Sequence, residues 1–149
     1  MITESVQQVL TTLYPLYKEE VYRRREQMMK WTAVGAVGFL AMLGGLLLSP
    51  QKTVLSPLEG WLLALASLGW SGLCGALVLQ QQHRHRQAKQ VLIQLEQALG
   101  FYEEGLLVEN QMLYPERWKS DWLSDRSSMV YLSALAFFNL LVLLALLIV

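Results

Sequence analysis

The sequence predicts an all-α, polytopic membrane protein with three transmembrane helices and cytoplasmic helical extensions. Three observations lead there. Residues 31–49, 57–79 and 129–149 are apolar blocks of roughly 19–23 residues, almost free of charge, and about 20 residues of helix cross a hydrocarbon core of about 30 Å. The whole chain of 149 residues is 54% hydrophobic and only 16% charged, against about 45–50% and about 25% in soluble domains. Basic residues also gather on one side of the blocks. An ordinary soluble enzyme domain, a disordered chain and a disulfide-stapled module are thereby excluded. Twelve Lys+Arg balance twelve Asp+Glu, so no polybasic nucleic-acid surface is expected.

Residues 1–30 read as cytoplasmic amphipathic helices. Ile2, Val6, Val9, Leu10, Leu13 and Tyr17 fall on one helical face, and Pro15 is expected to break or kink that helix. The run YKEEVYRRREQMMK holds no breaker before Trp31 and should continue into the first span. With thirty mostly polar residues ahead of it, the first block is not expected to be a cleaved signal peptide. Residues 31–79 form a transmembrane hairpin with spans at 31–49 and 57–79. The second opens on Ser56-Pro57-Leu58-Glu59, a capping box with proline at the first helical position, which makes Glu59 a cap. Lipid offers no partner to a loose backbone group, so each span should be helical.

Residues 80–128 form a cytoplasmic segment. Ala88, Val91, Leu92, Leu95, Ala98 and Leu99 share a face, and Gly100 is a natural stop. The helix of span two would then reach roughly 65 Å. Its apolar stripe needs a partner: residues 2–17, the chain after Gly100, a second copy or another protein. The stretch GLLVENQMLYP has no firm period and could be a short strand pair or a packed loop. Pro115 should open a short helix carrying Trp118 and Trp122, placed at the membrane interface. Residues 129–149 form the third transmembrane helix.

Lys18, Arg23, Arg24, Arg25 and Lys30 precede span one, while Arg84, Arg86 and Lys89 follow span two. Arg117, Lys119 and Arg126 precede span three, and the loop 50–56 holds only Lys52. The positive-inside rule then puts the N-terminus in the cytoplasm and the C-terminus on the opposite side of an inner membrane. Trp31, Trp118, Trp122 and the arginines 23–25, 84 and 86 are the expected membrane-interface residues, the basic ones against anionic headgroups.

Small residues recur as Gly35, Gly38, Ala41, Gly45 and Ser49 in span one, and as Gly60, Ala64, Ser67, Ser71 and Gly75 in span two. Such stripes allow close helix approach, either within the hairpin or against a second copy. In span three, Leu132, Leu135, Asn139, Val142, Leu146 and Val149 share a face. Asn139 lies mid-span and should find a hydrogen-bond partner. That partner is Ser67, Ser71 or a backbone carbonyl of the same chain, or an Asn ring between copies. His83 and His85 read as a solvated juxtamembrane cluster, and Cys74 as a packing residue. The acidic residues 96–125 are a solvated face or a docking surface for a basic partner.

No metalloprotease, phosphate-loop, nucleophile-elbow or dinucleotide signature occurs, so neither an enzyme nor a cofactor is expected. The run YKEEVYRRREQMMKW leading into a span, the tight two-span hairpin and the helix extending from span two resemble the small membrane effectors of bacterial immune systems, the SLATT class, over residues 15–100. The resemblance implies an oligomer that permeabilises the bacterial inner membrane when a cytoplasmic sensor activates it. The alternative function is a non-catalytic adaptor or assembly subunit of a larger membrane complex. Expected partners are the lipid bilayer, further copies of the chain and a cytoplasmic protein, without nucleic acid.

Overall fold

The computed structural model describes residues 4–48, 56–105, 109, 111–118 and 126–148. Among these, the chain is helical in three long elements: α1 (Glu4–Leu47), α2 (Pro57–Ala98) and α3 (Ser127–Ile148). Each is long and apolar enough to cross a membrane. Ser49, the loop 50–55, residues 106–108 and 110, Trp122 and Val149 lie outside the described residues. With them lie the choice between strand pair and packed loop, and most of the short helix read after Pro115.

Pro15 stands inside α1, which runs on without interruption; the expected break is not there. Proline removes one backbone hydrogen bond. The residues on either side compensate, because Leu13, Tyr14, Tyr17 and Val21 are all at least half-buried. Ion pairs at i,i+4 then support the next turns: Glu19 with Arg23 at 3.2 Å, and Glu20 with Arg24. Glutamate placed N-terminal to its basic partner is the favourable order.

The start of α2 is the expected capping box. The Ser56 backbone N–H and hydroxyl each donate to a Glu59 carboxylate oxygen at 2.8 Å. The other end is a Schellman motif. Gly100, at φ 75°, donates its N–H to the Gln97 carbonyl at 3.0 Å, and Phe101 donates to the Glu96 carbonyl at 3.0 Å. The left-handed backbone at Gly100 is what turns the chain there. It brings Phe101 and Tyr102 back toward the last turn of α2.

The chain divides into two compact units, one of residues 1–26 and 82–126, the other of 27–81 and 127–149. The second, apolar unit has a core of Met28, Phe39, Cys74, Val78, Leu135 and Val142, with Trp31 and Trp70 packed against it. Its helix contacts begin at Met28, about one turn before the span boundary read at residue 31. Two glycines permit them. A Cβ on Gly35 would collide with the Leu135 side chain, and one on Gly38 with the Trp70 indole. The Trp70 Nε1–H donates to the Gly35 carbonyl at 3.3 Å.

The first, polar unit packs Val21 of α1 against Ala88 and Leu92 of α2, with Tyr14 and Tyr17 alongside. The buried face of α2 is rotated from the stripe read in the sequence. His85, Ala88, Lys89, Leu92, Ile93, Leu95 and Glu96 are buried, whereas Ala98 is exposed and Val91 and Leu99 are half-buried. The rotation follows from the partners: tyrosine hydroxyls and the Val21 carbonyl oxygen can satisfy polar groups that an aliphatic surface would reject. His85 is the clearest correction. It is 3% exposed rather than solvated, with Nδ1 3.0 Å from the Val21 carbonyl oxygen. His83 is exposed, as expected.

Candidate functional site

Among the described residues of the apolar unit, a polar side-chain pair links α2 to α3. Ser67, fully buried on α2, donates its hydroxyl to Oδ1 of Asn139 on α3. Helix periodicity places Asn139 one turn after the buried Leu135 and just before Val142, so its amide faces α2. The amide of Asn139 therefore has a hydrogen-bond partner within its own chain. Among the described residues of this unit, no acid, histidine, lysine or arginine is buried. Ser71 and Ala64 are half-buried nearby, while Ala41 and Gly45 are exposed. Open space surrounds the Cβ positions of Gly44, Gly45, Gly69 and Gly72. The small residues are thus divided: Gly35, Gly38 and Ser67 are used inside the protomer, while Gly44, Gly45, Gly69 and Gly72 have open space at their Cβ positions.

The polar unit holds the more elaborate arrangement. Glu96, 4% exposed, accepts a hydrogen bond from the Tyr102 hydroxyl at 2.7 Å and a long one from the Tyr14 hydroxyl at 3.5 Å. The Tyr14 and Tyr114 hydroxyls stand 3.4 Å apart. The rings pack edge to face: Tyr14 on Phe101, Phe101 on Tyr114, and Tyr102 on Tyr114. Trp118 lies against Tyr114 with centroids 5.3 Å apart. Backbone bonds fix the reach of this loop, with Tyr114 N–H donating to the Phe101 carbonyl at 3.0 Å. These rings and Glu96 enclose a cavity of about 110 Å³ beside Leu92. The Lys18 ammonium sits 5.8 Å from the centre of the Tyr14 ring, within reach of a cation–π attraction.

Burial pushes the Tyr14 phenol well above its ordinary range, reinforced by the Tyr114 hydroxyl and the Glu96 charge. Burial also raises Tyr102, assisted by its bond to Glu96. Both act in the same sense, because a phenolate here would lose water and face a neighbouring carboxylate.

The expected interface residues are scattered over these elements. Trp118 belongs to the aromatic cluster, and Trp31 packs on the apolar core. Arg23 and Arg24 are paired with glutamates, while Arg25, Arg84 and Arg86 are exposed. Sequence reasoning passed over Glu96 and the tyrosines as a group. The signal was present: Glu96 lies four residues after Leu92, on the same face, and a Phe-Tyr pair directly follows the helix-stopping Gly100. Among the described residues, no cluster of three His, Cys, Asp or Glu could hold a metal ion. Comparisons with protein families, with curated proteins and with solved structures find no match to this chain.

Proposed function

We propose that the chain is one protomer of an oligomeric, non-catalytic effector of the bacterial inner membrane. Its N-terminus and the 82–126 segment face the cytoplasm, and its polar unit receives the controlling signal. The observation that carries this reading is the division of the small residues. Gly35 and Gly38 are used inside the protomer, while Gly44, Gly45, Gly69 and Gly72 leave open outward surface. In lipid, such surface favours close approach of another helix. Because Asn139 is bonded to Ser67 within the chain, any polar path across the bilayer lies between copies rather than through one. The resemblance to immune-system effectors supports the same reading. That intrachain bond also favours a second reading, a closed, non-conducting anchor for a larger complex.

Liposome leakage separates the two. The purified chain is expected to release an encapsulated dye or ions and to run as a multimer by light scattering in detergent. Asn139→Leu is expected to keep both properties, since the residue faces its own chain. A monomer without leakage under every condition would contradict the effector reading and leave the anchor.

A further inference from the structure

The geometry points to the cavity of the polar unit as a binding site for a small quaternary ammonium cation, with Lys18 as its internal competitor. The site stands on four features. Its wall is aromatic, with Tyr14, Tyr22, Tyr102, Tyr114 and Trp118 all contributing, and ring faces attract cations electrostatically. It contains one carboxylate, Glu96, which is 4% exposed and held by two phenols. Its volume is about 110 Å³, well above the roughly 10–15 Å³ that admits a single water. That suits a headgroup and falls well below the 300–1,000 Å³ of drug-sized sites. It is also reachable, because Tyr22 and Trp118, at 61% and 41% exposed, form its rim.

The polar geometry selects among cations. Each Glu96 oxygen already accepts from a tyrosine, Oε2 from Tyr102 and Oε1 from Tyr14. A primary amine or guanidinium must place its N–H donors on acceptors, and in this cavity it would compete with the phenols for Glu96. A quaternary ammonium donates nothing and needs only a diffuse negative field and ring faces. The ammonium of Lys18, one turn along α1, already stands 5.8 Å from the centre of the Tyr14 ring, within the range of a cation–π attraction. Lys18 is itself exposed, so it can swing out when a ligand enters. Binding here does not depend on whether the protein conducts.

The test is a titration of the full chain in maltoside detergent with tetramethylammonium chloride and with choline chloride. Calorimetry and tryptophan fluorescence provide the readout, and sodium chloride at equal ionic strength is the control. Wild type is expected to bind both saturably. Lys18→Met should bind several-fold more tightly, because a competing and repelling cation is gone. Glu96→Gln should bind at least tenfold more weakly. Trp118→Leu, at the exposed rim, should weaken binding several-fold and covers the case in which Glu96→Gln fails to fold. Reconstitution in phosphatidylglycerol and in phosphatidylcholine vesicles identifies the source. Equal choline affinity in the two means a free ligand, and weaker affinity in phosphatidylcholine means that a lipid headgroup occupies the cavity. No saturation in either wild type or Lys18→Met would overturn the proposal, as would full affinity in folded Glu96→Gln.

Discussion

Gly38→Leu is expected to disrupt the apolar unit, lowering its stability by about 3 kcal/mol, the upper part of the usual cost of overpacking a filled core. A Cβ at Gly38 already runs into the Trp70 indole, a rigid ring whose N–H is bonded to the Gly35 carbonyl. The ring cannot yield without giving up that bond, and the branched leucine side chain makes the collision worse. The measurement is the thermal midpoint of helical circular dichroism in detergent, with Gly45→Leu as control. Nothing lies within 4 Å of the Cβ position of Gly45. The fold should therefore tolerate Gly45→Leu, and any effect should be confined to self-association.

The polar unit is expected to lose stability steeply in alkali. Folding raises the phenol pKa of both Tyr14 and Tyr102. A raised native value means that the unfolded chain ionises first. The stabilisation is therefore complete below the unfolded tyrosine value of about 10 and declines as pH climbs beyond it toward the native values. Absorbance of tyrosinate during a pH titration, compared between wild type and Tyr102→Phe, follows these two phenols. Tyr14 and Tyr102 should ionise only with loss of the polar unit's structure. Tyr102→Phe removes one of these phenols and should shrink the late step. Ionisation of Tyr14 and Tyr102 near pH 10 with the helices intact would contradict the geometry around Glu96.

How much of this was legible in the sequence differs between the two units. The three long helices could be read because the dominant force, apolar surface leaving water, is written directly as runs of Leu, Ala, Val and Gly. The face of span three was equally plain: Leu135 and Val142 are the buried residues on it, with Asn139 between them. The cap at Ser56 and the stop at Gly100 rest on local geometry, which short motifs encode. Pro15 misled because a local rule was set against tertiary packing on both sides of it. His85 and Glu96 misled for a different reason. A polar residue in a helix reads as solvated unless its partner is known, and here the partners come from distant parts of the chain. Tyr14 is 82 residues from Glu96, and the Val21 carbonyl is 64 residues from His85. No window of sequence contains both members of such a pair. The division of the glycines into inward and outward faces was hidden in the same way, since glycine carries no side chain to mark its role.

The central claim is that three helices cross the bilayer, so that the two ends of the chain lie on opposite faces. It is tested most directly by fusing a protease-cleavable tag at each end and adding an impermeant protease to right-side-out and to inverted inner-membrane vesicles. The N-terminal tag should be cut only in inverted vesicles and the C-terminal tag only in right-side-out ones. Cleavage of both tags in the same preparation, with the other preparation fully protected, would contradict the account.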